Sequence, residues 1–190
     1  MIGIASSPTS REHVGYLGEA LLLEATALGL GTCWVSGMFR PDAVRKQVHL
    51  TGDERIFAVT PLGYGERDFT AKEKIYIGMA GSRKRKSLSS IMEGTSPLLW
   101  QEKALEAARI SPSARNRQPW RFQVKPEAIT IQSDTTQDSD RYPKRLDCGI
   151  AMLHLELGAR FAGAAGRWVS LESPQIARYE YPERIGSDRT

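Results

Sequence analysis

A repeat constrains this chain more than its composition does. When the sequence is shifted by 134 residues, Gly15, Leu21, Leu23, Ala25, Gly29, Trp34, Val35 and Ser36 fall on Gly149, Leu155, Leu157, Ala159, Gly163, Trp168, Val169 and Ser170. That is eight identities in an ungapped window of 22 residues. Unrelated segments, matching at roughly one position in 15, would give about one or two. Both copies follow one plan: an apolar helical pattern, a glycine stop, then Trp-Val-Ser. A period this long marks a duplicated supersecondary unit. The expected packing is two helix–strand elements about a pseudo-two-fold axis, as when a homodimer interface is fused into one chain. The competing reading is two similar amphipathic helices by coincidence.

The chain has 190 residues, 41% hydrophobic and 25% charged. This suits one domain or two small ones with a packed core. No apolar run approaches the roughly 18 residues of a membrane span. The opening MIGIASSPTSREH lacks a basic region followed by an apolar stretch, so it does not read as a signal peptide. The expectation is a soluble cytoplasmic protein with no membrane partner. Cys33 and Cys148 make no CxxC pair, and each reads as a small buried apolar residue. His13, His49 and His154 lack metal-site spacing, so no metal is expected.

Net charge is +4, with a pI near 9.2. The basic residues cluster at Arg83–Lys86 and at Arg115, Arg117 and Arg121. A small anionic ligand explains such clusters as well as nucleic acid does, and no aromatic interleaving marks a stacking platform. Nucleic acid is therefore not an expected partner.

Periodicity predicts a helix over 14–28, with Val14, Leu17, Leu21, Ala25 and Leu28 on the inner face. Cys33–Val35 reads as strand-like, 41–48 as a short helix and 56–62 as a strand shortened by Pro61. Residues 64–97 read as a polar loop. A second helix is expected over 99–110, with Ala104, Leu105 and Ala108 inward. Strands follow at 122–124 and 128–131, then a polar loop at 134–140. A third helix is expected over 147–162, ahead of a polar, partly disordered tail after Pro174. Gly29-Leu30-Gly31 ends a helix, which argues against a dinucleotide fingerprint.

The segment Ile110-Ser111-Pro112-Ser113-Ala114-Arg115-Asn116-Arg117-Gln118-Pro119-Trp120 offers a hydroxyl and two amides between two prolines. Such a loop can donate to a ring carrying carbonyls and nitrogens. It can equally be an ordinary loop whose Ser and Asn cap the backbone.

PSARNRQPWRF resembles the Pro-Ser-x-x-Asn-x-Gln-Pro-Trp signature of the nitroreductase family, the FMN-dependent reductases. EATALGLGTCWVSGMF is similar to the family segment whose backbone lies against the flavin ring. PLGYGE is similar to the strand near the family's C-terminus. Because C-terminal features come first and N-terminal features second, the chain resembles fused members holding two units. The resemblance implies an α+β, nitroreductase-like fold, an intrachain pseudo-dimer with a sheet flanked by helices. Residues 1–80 would be the back part of unit one, 81–97 a basic linker, 98–175 a shortened unit two and 176–190 a tail.

It also implies an oxidoreductase passing electrons from NADH or NADPH through FMN to a nitroaromatic, quinone or similar flat acceptor. The chain would act as a monomeric pseudo-dimer or a homodimer. The implied cofactor-binding residues are Trp34, Val35, Ser36 and Gly37 on one side, Arg83 and Arg85 for the phosphate, and Pro112, Ser113, Arg115, Asn116 and Gln118 on the other. Backbone donors at 35–37 would serve one edge of the ring, and Trp34 and Trp120 would wall the slot. No residue is assigned a catalytic role. The family's opening arginine-rich helix has no counterpart before Ile4-Ala5-Ser6-Ser7, so the expectation is either a chain that lacks the front of unit one or a protein that has abandoned part of the site. Each lost charged phosphate contact is worth about 1.5–3 kcal/mol. The alternative function is therefore a catalytically inactive, flavin-binding or truncated relic.

Overall fold

The computed structural model describes residues 1–37, 39–65, 84–95, 97–138 and 142–181. Its elements are β1 (Ile2–Ile4), α1 (Ser10–Ala27), β2 (Gly31–Thr32), α2 (Pro41–Arg45), β3 (Glu54–Ile56) and β4 (Leu62–Gly63). Then come α3 (Leu88–Ile91), β5 (Met92–Gly94), α4 (Leu99–Arg109), β6 (Trp120–Lys125), β7 (Ala128–Ser133), α5 (Lys144–Phe161), β8 (Arg167–Ser170) and β9 (Gln175–Glu180).

The main sheet runs β5-β6-β7-β9-β8. β5 and β6 are parallel, and the other neighbours are antiparallel. β6 alternates: Trp120, Phe122 and Val124 face the core, as a half-buried strand requires. β6 and β7 form a hairpin in the register Trp120↔Ser133 to Lys125↔Ala128. Helix α4 lays Trp100, Ala104, Leu105 and Ala108 on this sheet. At its start, Gln101 Oε1 accepts the Leu98 N–H at 2.9 Å, and Gln101 Nε2 donates to Lys125 O at 2.7 Å. Each large core side chain contributes about 1.5–3 kcal/mol by burial.

α1 and α5 cross at a paired glycine contact. A Cβ on Gly15 would lie 2.1 Å from Leu146 O, and one on Gly149 would lie 2.0 Å from Glu12 O. The two contacts exchange under the 134-residue shift, as in an isologous interface. The helix ends agree as well. Leu28, Gly29 and Leu30 donate to the carbonyls of Glu24, Thr26 and Ala25. Their mates Ala162, Gly163 and Ala164 donate to Gly158, Arg160 and Ala159. Gly29 and Gly163 hold φ of +78° and +83°, the left-handed turn that closes such caps.

The glycine contact explains why the inner face of α1 differs from the expected one. Val14, Gly15, Gly18, Leu22 and Ala25 are buried, whereas Leu17, Leu21 and Leu28 are 66%, 59% and 67% exposed. Close approach through glycine turned the helix away from its leucine stripe. Other expectations are corrected too. Cys33 is exposed, and only Cys148 is buried. Of the strand expected over 56–62, only Ile56 and Leu62 lie in strands, at the end of β3 and the start of β4, with an isolated bridge at Val59 between them. The linker assigned to 81–97 contains α3 and β5. The tail reading after Pro174 fails, because β9 is an interior strand of the main sheet, and the boundary drawn at 175/176 cuts through it. β9 reads as polar because Arg178 and Glu180 pair with each other and Glu180 also binds Arg167.

Candidate functional site

The segment after α1 is fixed by four contacts. Val35 and Val59 exchange backbone hydrogen bonds, each 2.9 Å. The Trp34 indole lies across Gly18, where a Cβ would come within 2.5 Å of the ring. Trp34 Nε1 donates to Glu19 Oε2 at 2.6 Å, and the buried Glu19 also meets His154 Nε2 at 2.9 Å. Gly37 abuts the Tyr142 ring, 2.4 Å from where a Cβ would stand.

The loop from Ser111 to Gln118 is built from the other end of the chain. It contains a single 3₁₀ turn, Ala114–Asn116. Arg115, Asn116 and Gln118 hold left-handed φ values of 56°, 53° and 51°. Three such non-glycine residues in one loop persist only where surrounding bonds over-determine them, a pattern concentrated at functional sites. The bonds are present. Asp147 on α5 accepts Ala114 N at 3.0 Å and Arg117 at 3.0 Å. Arg117 also donates to Tyr142 O, and Ser113 Oγ accepts Gln118 N at 2.9 Å. Asp147 is almost fully buried, and burial pushes its carboxyl up to about 6. The Ala114 N–H and Arg117 oppose that rise.

Between the segment and the loop lies a cleft of about 140 Å³. Trp34, Leu146 and Ile150 give it apolar walls. Ser36 and Ser113 bring hydroxyls, and Asp147 lies among its lining residues. Arg115 lies at its rim, with its guanidinium 5.6 Å from the centre of the Tyr142 ring. The volume is below the roughly 300–1,000 Å³ of a whole-ligand pocket. Its volume and lining suit one portion of a larger molecule.

Five residues expected at the site therefore meet here: Trp34, Ser36, Pro112, Ser113 and Arg115. The others are placed differently. The backbone N–H of Val35 is held by Val59 and cannot serve as the expected ring donor. Asn116 binds Lys84 O and Arg85, and Gln118 binds Lys86 N. Both amides thus hold the loop to residues 84–86. Arg85 grips Ile110 O at 3.1 and 3.2 Å rather than lining the cleft. Arg83 lies outside the described residues. Trp120 is fully buried in the main core and walls no slot. The sequence reading missed Asp147, Leu146, Ile150 and Tyr142. An aspartate in the first turn of a helix, directly before the apolar run Cys148–Leu153, was the available signal.

Among the described residues, no group of His, Cys, Asp and Glu could hold a metal ion. No helix among them is long and apolar enough to cross a membrane.

The mixed sheet, the paired helices and this cleft define an α+β, nitroreductase-like fold. Residues 1–159 match the family model described as "Putative TM nitroreductase", and the chain belongs to that family. The fold is similar to the crystal structure of a "putative nitroreductase" from Thermotoga maritima, with a TM-score of 0.66 and 24% identity. The match covers 94% of this chain and 68% of that one. A comparison with curated proteins finds no match.

Proposed function

We propose that this chain is an FMN-dependent oxidoreductase of nitroreductase type, reduced by NADH or NADPH and acting on a flat acceptor such as a nitroaromatic or quinone. The observation that carries this reading is the cleft where Trp34 and Ser36 meet Pro112, Ser113 and Arg115, since these two motifs lie 76 residues or more apart in the sequence. Bound FMN would supply the redox chemistry, accepting hydride equivalents from the nicotinamide and passing electrons to the acceptor.

The residues of the chain supply position and electrostatics. Trp34, locked by Glu19, presents its ring as a wall. Ile150 and Leu146 add apolar surface to the cleft. The Ser36 and Ser113 hydroxyls are placed for the polar edge of a ring, and Arg115 offers positive charge where reduction would build up negative charge. We read the repeat as a gene duplication whose two units form one site at their contact. The working assembly is then a monomeric pseudo-dimer or a homodimer of it, in the cytoplasm.

The test is a visible spectrum before and after excess FMN and desalting, followed by anaerobic titration with NADH and NADPH. A retained flavin band that bleaches supports the reading. A retained band that neither nucleotide bleaches turns the function into flavin binding alone. A colourless protein refutes both.

A further inference from the structure

The two halves of the repeat differ at one sheet edge. β1 precedes α1 as β7 precedes α5, and β1 pairs antiparallel with β3 as β7 does with β9. The far edge of β7 is taken by β6, and that of β6 by β5. The far edge of β1 has no neighbouring strand among the described residues. Backbone alternation fixes which groups lie there. Phe57 N–H donates to Met1 O at 3.0 Å and Ala5 N–H to Asp53 O at 2.8 Å, so Met1, Gly3 and Ala5 bond toward β3. The N–H and C=O groups of Ile2 and Ile4 therefore point outward. Ile4 O accepts Ser7 N–H at 3.3 Å and keeps a second lone pair.

We propose that two copies of this chain associate through β1, antiparallel about Gly3, so that the two β1–β3 pairs form one continuous four-stranded sheet. The register is self-complementary. With Gly3 on the two-fold axis, Ile2 stands opposite the partner's Ile4, and their outward groups exchange hydrogen bonds on each side of the axis. The side chains agree with this register. Gly3 faces α1, where a Cβ would lie 2.7 Å from Val14 Cγ2. Ile2 and Ile4, 40% and 45% exposed, therefore lie on the other face. Pairing then sets isoleucine against isoleucine twice across the seam, a favourable cross-strand match.

The surroundings favour a second copy over a charged partner. A groove of about 260 Å³ runs beside the edge, lined by Ile2, Ile4, Ser10, His13, Val14 and Leu17 among others. No Asp, Glu, Lys or Arg is among its described lining residues, although the chain carries a net charge of +4. Like charges are therefore not brought together when this surface meets its own copy. Leu17 is exposed there, whereas its repeat mate Ala151 is fully buried, so the same face of the repeat is covered in the other half. β1 also carries no lysine or proline, the usual guards of an open edge, and such an edge is a template for another strand. The pairing is independent of what the cleft binds.

The test is sedimentation velocity of the full chain from about 1 to 200 µM, with residue-resolved amide exchange on the same samples. Wild type should pass from monomer to dimer, and the Ile2 and Ile4 amides should slow as the dimer forms. Ile4→Pro removes a donor that the monomer does not use. It should raise the dimer Kd about tenfold or more, with Tm in dilute solution unchanged. The double variants Ile2→Lys/Ile4→Lys and Ile2→Glu/Ile4→Glu should each stay monomeric, and their mixture should dimerise, because residue 2 meets residue 4 across the axis. A wild type that remains monomeric overturns the proposal. So does a dimer as tight in Ile4→Pro as in wild type, or one whose formation leaves the Ile2 and Ile4 amides exchanging as before. Should the variants fail to fold, exchange in wild type decides alone.

Discussion

Replacing Gly15 or Gly149 with alanine tests the helix contact on which the site stands. The added Cβ would meet a carbonyl oxygen of the facing helix at 2.1 or 2.0 Å, about 1 Å inside the closest approach that real Cβ atoms make. The obstacle is backbone, so no side-chain rotation relieves it, and α1 and α5 must move apart. Overpacking of this kind costs about 1–3 kcal/mol. The better helix propensity of alanine returns about 1 kcal/mol. Because both contacts are short and rigid, the upper part of the range applies, leaving a net loss of about 2 kcal/mol. For a domain of this size that lowers Tm by roughly 4–8 °C. The two glycines face one crossing, so a single separation admits both methyl groups. The double variant should therefore lose clearly less than the two single losses added together. Leu146 and Ile150 flank Gly149 and line the cleft, so ligand affinity should fall along with stability. The assay is urea and thermal unfolding of the three variants beside wild type. A Gly149→Ala protein as stable as wild type, or strictly additive losses, would refute the reciprocal close contact.

Three further outcomes follow from the same packing. The raised carboxyl of Asp147, near 6 against an ordinary 3.8, means that the folded state holds its proton more tightly than the unfolded chain does. Its contribution to stability is present below about pH 4 and is lost as pH rises toward 6, by up to about 3 kcal/mol. Urea midpoints at pH 4.5 and 7 should show a smaller fall for Asp147→Asn than for wild type. Trp34→Phe and Trp168→Phe each remove an indole donor to a glutamate, Glu19 or Glu156, at a cost of about 1–3 kcal/mol in unfolding experiments. Only Trp34→Phe should also weaken ligand binding in a flavin titration. Leu155→Ala should cost about 2–5 kcal/mol, because Leu155 is fully buried, while its repeat mate Leu21, 59% exposed, should tolerate alanine within about 0.5 kcal/mol. Chemical denaturation of the pair checks this.

Local chemistry made the legible parts legible. The glycine stops at 29 and 163, the strands expected at 122–124 and 128–131 and the inner face of α4 follow from short-range pattern, and the structure carries all of them, the strands as parts of longer ones. Both halves of the cleft were readable as motifs, because each is a contiguous segment. Long-range choice was not readable. Which face of α1 is buried depends on the partner helix, so the leucine stripe misled and the glycines decided. β9 looked like a tail because its charged residues hide its pattern; in the fold Arg178 pairs with Glu180 two residues on, and Glu180 with Arg167 of the neighbouring β8. Asn116 and Gln118 carry the right chemistry for a ligand. Their donors and acceptors are taken by residues 84–86, a pairing that spacing alone does not reveal.

The repeat supplies a symmetric scaffold, and the site arises where that symmetry breaks. Trp34-Val35-Ser36 and Trp168-Val169-Ser170 leave identical helix caps. Strand β8 then pairs with β9 over four residues, and the Trp168 ring, 5.2 Å from that of Tyr179, packs against the main core. The first copy is held by the single bridge between Val35 and Val59. Trp34 and Ser36 consequently stay at an edge, where the strained loop at 112–115 meets them. One three-residue motif thus completes a core in one half and opens a cleft in the other. The difference lies in the strands available to cover it, since the motif itself is the same. Trp34 and Trp168 are both partly buried, but Trp168 packs against the main core beside Tyr179 whereas Trp34 lines the cleft, two results of one local fold meeting two surroundings.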